Sequence, residues 1–484
     1  MRDRLNQAPK KRVARIWAKF LLILLPLPIV WALANPMFAS PDESSHMIRA
    51  QGVIRGDLNE PYLTDGLPGG QVECMAFYWD VTANCMKLEW GAPNTPMQSP
   101  TDTYPPLFHG LAGVTSLFFS GLVGAYAMRI WLAIVCSMIM AWAGTLLWIR
   151  RPNCWSIGGV ITATTPMVVF TFATVNPSGI TAALSSAIWA GGLNLSLPTS
   201  SSMKRASRIT FMIAVIIFPL LRRDALAWEI VILAILATTL SRARLRELRQ
   251  DRLIVGSLFV TLANMIWVWI AWAGTATDSF VSNSADHGGG SWAAGLGSVY
   301  LKILEVVGYF GWLDSPMTSE TFVFLMCVLA GVITIAALGG HKPEARTTTI
   351  AFFAMLSAPV IIGAVRFPYV QGRYLFPVWI GCMLVAGQAI AAATLPTEFK
   401  KRLFRLVVIS LVIAQFFAFA QNLRRYAVGH SGTWKFYQHS LWHPPMMSNL
   451  WALILAFSAL VIAVISGRNI IKSENLFADN QSHY

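Results

Sequence analysis

Apolar runs of 16–22 residues recur along this chain, separated by short polar or basic stretches. A helix needs ~20 apolar residues to cross a hydrocarbon core. The runs therefore predict twelve transmembrane helices, at 17–36, 128–149, 155–174, 178–197, 207–222, 225–241, 254–273, 320–338, 347–365, 374–393, 403–421 and 449–467. A further run, 106–124, is ambiguous: it carries His109 and four glycines and follows Tyr104 and Pro105, opening on Pro106. Three stretches between the runs are long: 36–105, 274–319 and 422–448, the last holding His430, Trp434, Tyr437, His439, Trp442 and His443. Loops of that length beside a membrane usually build a site.

Composition narrows the reading. Of the 484 residues 55% are hydrophobic and 12% charged, about half the ~25% charged of a soluble domain. Too little polar surface remains to cover a water-soluble globule, which excludes a cytosolic enzyme, a secreted disulfide scaffold and a disordered chain. The expected fold is an all-α polytopic membrane protein.

The net charge of +14 would suggest nucleic acid in a soluble protein, so its distribution matters first. With a cytoplasmic N-terminus and 106–124 not crossing, 25 of the 37 Lys and Arg fall inside and 16 of the 23 acidic residues outside. A crossing at 106–124 would reverse every later loop, so the positive-inside rule favours the first arrangement. The charge thus orients helices and gives no support to nucleic-acid binding. The resulting layout has a basic cytoplasmic segment 1–16 and a single transmembrane domain 17–467. Its outer loops are 36–127, 274–319 and 422–448, and a cytoplasmic tail covers 468–484. The residues 106–124 read as interfacial or re-entrant, and the first run as an uncleaved span because 35–41 is a poor cleavage site. A plasma-membrane location with both termini cytoplasmic and an extracytoplasmic site follows.

Candidate chemistry collects on that outer face. Asp42 and Glu43 follow the first span directly, after Ser40-Pro41. They could simply complement the positive end of a helix begun at Pro41, or one could act as a general base. Asp42 is preferred because His46 lies four residues on, where it could orient the carboxylate. Tyr104-Pro105-Pro106 is either a helix start with an interfacial tyrosine or a substrate-positioning element. Arg222 and Arg223 sit at the outer end of two spans and require an anion there. Asp224 and Glu229 could supply it, as could a lipid phosphate. Arg366, Gln371, Arg373 and Tyr374 join two spans on the same side, where Arg373 is either a snorkelling anchor or a phosphate ligand. Cys74 and Cys85 share the first outer loop and are a candidate disulfide. No phosphate-cradling loop or dinucleotide fingerprint occurs. Asp42 and Glu43 could ligate a divalent metal, but no full ligand set is visible and no metal is assigned.

Pro41-Asp42-Glu43-x-x-His46, Gly52-x-x-x-Gly56, Tyr104-Pro105-Pro106-Leu107, Asn176-Pro177, Gly311-Trp312-Leu313-Asp314 and Gln371-Gly372-Arg373-Tyr374-Leu375 occur in that order. Together they resemble a family of multipass membrane proteins common in actinomycetes, over about residues 17–465. That family in turn resembles the GT-C superfamily of polyprenyl-phosphate-sugar-dependent glycosyltransferases. The resemblance implies a GT-C-like fold of about twelve helices whose large first outer loop carries interfacial helices. It implies Asp42 as the base toward an acceptor hydroxyl, Glu43 in support or touching the acceptor, and arginines holding the donor phosphate. Where the family usually has an acidic residue after Asn-Pro, this chain has Ser178, so that segment receives no catalytic role.

The expected function is transfer of a sugar from a polyprenyl-phosphate donor to a cell-wall or surface glycan acceptor, with inversion. Its partners are then the bilayer, the lipid-linked sugar and the glycan; the oligomeric state stays open. A transporter or flippase of a lipid-linked glycan and a non-catalytic assembly protein are the alternatives. A transporter should show inverted repeats and mid-membrane charges, of which the sequence gives no clear sign.

Overall fold

A computed structural model of the chain describes residues 2–69, 72–101, 104–196, 201–284, 292–364 and 371–481. Its helices begin with α1 (Arg2–Leu24), α2 (Pro26–Ala34), α3 (Glu43–Arg55), α4 (Pro106–Gly113), α5 (Gly121–Arg150), α6 (Cys154–Ala163), α7 (Pro166–Phe172) and α8 (Pro177–Leu195). They continue with α9 (Ser201–Ile217), α10 (Ala225–Ala237), α11 (Arg242–Gln250), α12 (Arg252–Ser284) and α13 (Trp292–Gly308). The last five are α14 (Ser319–Gly339), α15 (Lys342–Ala364), α16 (Phe376–Ala391), α17 (Thr397–Val428) and α18 (Asn449–Gln481). The protein is an all-α polytopic membrane protein.

Eight of the twelve predicted spans coincide with helices long and apolar enough to cross a membrane among the described residues. The run 155–174 is a bent pair: α6 and α7 meet at 70°, and counting them as one crossing gives nine. Pro166 opens α7; lacking an N–H and clashing with the preceding turn, a proline breaks a helix at such a point. The remaining three predicted spans correspond to α8, α9 and α10, which are too short or too polar by that test. In α8 every residue is buried. A helix enclosed by other helices need not be as apolar as one facing lipid, and α8 carries Ser178, Thr181, Ser185, Ser186 and Asn194. The ambiguous 106–124 run is not a spanning helix: α4 is eight residues long, a 3₁₀ turn follows at Val114–Leu117, and α5 starts at Gly121.

Packing is closest at small residues, as expected where helices pack by van der Waals contact within lipid. A Cβ on Gly387 of α16 would meet the Cα of Gly159 on α6 at 2.6 Å. Aromatic rings fill the centre, where Trp31 touches Phe170, Phe310 and Phe419 at centroid distances of 5.7, 5.1 and 5.2 Å.

Three helices sort the charges to opposite ends of the bundle. Helix α5 carries Arg129 in its first third and Arg150 at its end, α16 follows Arg373 and closes near Gln388, and α17 carries Lys400 near its start and Arg425 near its end. At the basic end Arg150 and Arg151 pair with Glu344 at 2.8 and 2.7 Å. Asp42, Arg129, Arg373 and Arg425 gather at the other end.

Above that other end the first loop folds as α3 and α4 with short antiparallel strand pairs, Tyr62–Thr64 with Thr95–Met97 and Pro68–Gly69 with Glu89–Trp90. Cys74 and Cys85 are bridged, with Cα atoms 6.1 Å apart. Closing so short a loop is worth roughly 3 kcal/mol in the chain-entropy model. Alkylation of denatured, unreduced protein is expected to label four cysteines, and labelling after reduction six, by intact mass. Six labels before reduction would show that the bridge does not form.

The buried Arg425 holds the bridged loop from below. Its guanidinium donates to the carbonyls of Met75, Tyr78 and Val81 at 2.9, 2.8 and 2.6 Å and to Asp314 Oδ2 at 3.0 Å. Asp314 in turn accepts from the Phe77 N–H at 3.1 Å. The motif Gly311-Trp312-Leu313-Asp314 therefore anchors a loop.

Candidate active site

Asp42 stands at the turn between the first span and α3. It is the N-cap of α3 with φ 61° and ψ 11°, a left-handed conformation that Asp tolerates better than most residues. Neighbouring bonds fix this turn. Glu43 N–H donates to the Ser40 carbonyl at 3.2 Å and His46 N–H to the Asp42 carbonyl at 2.9 Å. The break between α7 and α8 grips the turn from beneath. Asn176 Nδ2 donates to the Pro41 carbonyl at 3.2 Å, and the Val175 N–H to Glu43 Oε1 at 2.9 Å. The Asn-Pro motif thereby shapes the carboxylate turn.

The two adjacent carboxylates have opposite surroundings. Asp42 is 45% exposed at its side chain. Glu43 is fully enclosed and forms a fork with Arg129, Nε to Oε1 at 2.8 Å and Nη2 to Oε2 at 2.5 Å. Arg129 also donates to the carbonyls of Asn35 and Pro36 at 3.0 and 2.7 Å, satisfying backbone acceptors left over at the end of α2. Both Glu43 oxygens are occupied and no solvent reaches them. The structure therefore places Glu43 in the framework beneath the turn, in line with the supporting role and not with contact to the acceptor, the two alternatives the sequence left for it. A divalent metal does not fit here: Glu43 is committed, and among the described residues no three His, Cys, Asp or Glu side chains converge.

Asp42 faces Arg373. The Arg373 Nη2 lies 3.5 Å from Asp42 Oδ2, and the Arg373 side chain is only 4% exposed. Its buried Nε has no hydrogen-bond partner among the described residues. A guanidinium so enclosed, with one long contact to a carboxylate, is poorly compensated. Gly372 allows this placement, because a Cβ there would meet Glu305 Cβ and the Lys302 carbonyl at 2.4 Å. Gln371 adds a second buried unpartnered atom, Oε1. Arg366 lies outside the described residues.

Tyr374 links Arg373 to Arg222, whose guanidinium stacks over the ring at 4.3 Å while that of Arg373 lies 5.8 Å from the same centroid. Arg222 is better compensated: Asp224 accepts from it at 2.7 Å and Ser178 Oγ at 2.7 Å. Glu229, the other internal partner considered from sequence, makes no hydrogen bond among the described residues. Arg223 occupies the same turn and is half-buried.

His46 does not reach Asp42. Its imidazole turns inward, and Nδ1 lies 3.1 Å from Nε2 of His109. Tyr104 packs edge-on against it at 5.4 Å, and Pro105 and Pro106 start α4 so that His109 meets His46. Burial, then His109 and the arginines Arg373, Arg222 and Arg49, hold His46 well below the usual histidine range. Burial and Arg49 do the same for His109. The pair is therefore neutral at pH 7, one ring donating and the other accepting, and adds no charge to the two arginines. Burial, followed by Tyr374, pushes the Tyr104 phenol up to about 12, so it stays a protonated hydroxyl.

A model of a predicted membrane protein family, DUF2142, matches residues 25–382. The chain belongs to the DUF2142 family. The matched stretch holds Asp42, Arg129, Arg222 and Arg373 and stops before α17. No curated protein matches the chain by sequence. Among solved structures the chain is similar to ArnT from Cupriavidus metallidurans bound to undecaprenyl phosphate. That similarity has a TM-score of 0.48 and 14% identity, over 96% of this chain and 78% of that one.

Sequence reasoning missed Arg129, Arg425 and His109 as partners in this DUF2142 chain. Arg129 carried a signal: a charge inside a spanning run needs a buried counter-ion, and Glu43 was an acidic residue on the same side.

Proposed function

We propose that this DUF2142 protein is a GT-C-type glycosyltransferase of the plasma membrane, moving a sugar from a polyprenyl-phosphate donor to a cell-envelope glycan on the extracytoplasmic face. The observation that carries the reading is the meeting of an exposed Asp42 with a buried, under-compensated Arg373. A base and an anion-binding group side by side are what a transfer from a lipid phosphate requires. The charge sorting of the helices supports the extracytoplasmic assignment, since the site lies opposite the basic end.

In this reading a phosphate oxygen of the donor takes the place beside Arg373 now served by one long contact to Asp42. Asp42 accepts the proton of the acceptor hydroxyl as its oxygen attacks the anomeric carbon. The bond from that carbon to the phosphate oxygen breaks, the electron pair stays on the phosphate, and the anomeric centre inverts. Fixed guanidinium groups stabilise the developing charge with no reorganisation at the moment of reaction. Arg222, held by Asp224, Ser178 and Tyr374, extends the positive field. The neutral His46–His109 pair and Tyr104 form the wall behind it.

Arg373→Lys tests the phosphate role. Lysine keeps the charge but not the planar fork, and one lost hydrogen bond to a charged group is worth about 10–100-fold. kcat/KM for a lipid-linked donor in reconstituted membranes is expected to fall by about that factor. Unchanged donor kinetics would remove Arg373 from the site.

A further inference from the structure

The 70° bend between α6 and α7 opens a cleft that the transferase reading does not use. It lies on the outside of the bundle toward the basic end, between α1, α6, α17 and α18, and has a volume of about 710 Å³. Apolar side chains such as Ile23, Leu27, Ile161, Val408 and Val464 line it. The bend frees the Thr164 carbonyl, and Gln415 Nε2 of α17 donates to it at 2.8 Å, which closes the far end. From Lys401 to Gln415 the cleft follows fifteen residues of α17, fourteen helical rises or ~21 Å. One leaflet of a ~30 Å hydrocarbon core is ~15 Å deep, so the slot is long enough for an acyl chain and part of a headgroup.

Its mouth is cationic. Helices α17 and α18 run antiparallel, so the start of one meets the end of the other, and Lys401, Arg405, Arg468 and Lys472 all border the cleft. Lys401 pairs with Glu398 at 3.0 Å. Among the described residues Arg405, Arg468 and Lys472 have no acidic partner within salt-bridge distance. An apolar slot whose mouth carries three cations without a salt-bridge partner among the described residues complements an amphiphile with an anionic head.

We propose that this cleft binds a membrane phospholipid of net negative charge, its chains along α17 and its phosphate at Arg405, Arg468 and Lys472. A zwitterionic lipid would bring its own cation to the same place and gain less. The proposal is independent of the transferase reading.

The test is native mass spectrometry of the full-length protein in detergent, titrated with phosphatidylglycerol and with phosphatidylcholine of identical chains. One phosphatidylglycerol molecule is expected to be retained at more than tenfold lower concentration than phosphatidylcholine. Each cation near a lipid surface contributes roughly fivefold, so replacing Arg405, Arg468 and Lys472 together by Gln should abolish that preference. Replacing Arg242, Arg246 and Arg249 of α11 by Gln should leave it intact. Ala463→Trp fills the cleft without touching its charges and should also displace the lipid. Equal retention of the two lipids would overturn the proposal. So would a preference that survives the Arg405 triple replacement or the Ala463→Trp filling, or one lost equally on replacing the α11 arginines.

Discussion

Replacing Asp42 by Asn is expected to lower kcat by about 10²–10⁴-fold, the range that general base catalysis supplies. The substitution conserves size and removes the proton acceptor. Asn also tolerates the left-handed backbone that Asp42 adopts, so the turn should survive. The side chain is half exposed and its one partner lies 3.5 Å away, so its loss should leave the unfolding temperature close to that of the parent. The measurement is turnover of a lipid-linked donor in proteoliposomes, beside thermal unfolding in detergent. An Asp42→Asn protein with parental turnover would sink the transferase mechanism. One that is inactive because it unfolds would leave Asp42 in a structural role.

Glu43→Gln should do the reverse. Arg129 would keep its charge in a fully enclosed site and lose the carboxylate that neutralises it. Breaking a buried ion pair from one side costs about 3–5 kcal/mol. Thermal unfolding should drop markedly, and activity should fall with the folded fraction. Replacing both partners, Glu43→Leu with Arg129→Met, should recover only part of the loss: it removes the unpaired charge but leaves the Val175 N–H and the Asn35 and Pro36 carbonyls without their partners. A Glu43→Gln protein that unfolds at the parental temperature would show that the fork with Arg129 contributes nothing. Two neighbouring carboxylates would then be separated by two readouts, turnover for one and stability for the other.

The membrane plan was legible because lipid imposes one demand on every exposed span. Runs such as 320–338 and 449–467 are apolar all round and read directly as α14 and α18. The run 178–197 also reads as a span and corresponds to α8, but its polar residues reflect that neighbouring helices, not lipid, enclose it. The bend at Thr164–Pro166 was hidden in the apolar run 155–174, although Pro166 marks where it falls. At the site, residue type and a shared end of the bundle could be read, but pairing could not. Spacing put His46 on the face of Asp42, yet Asp42 lies outside the helical conformation and His46 turns to His109, 63 positions away. Sequence favoured Asp42 over Glu43 but could not show that Arg129, 86 positions on, encloses Glu43. Distances of that kind are set by how spans pack, which local pattern does not encode.

The clamp of Arg425 on the first loop has a consequence for biogenesis. The residues it joins are as much as 350 positions apart. At a synthesis rate of ~5–20 residues per second, the ribosome needs roughly 20–70 s to deliver α17 after the loop has emerged. Throughout that interval the loop hangs beside a half-built bundle, with its own crosslink but no seat. This end of the bundle can be completed only when nearly the whole chain has been inserted, so a nascent protein released early would carry its carboxylate turn beneath an unseated cover.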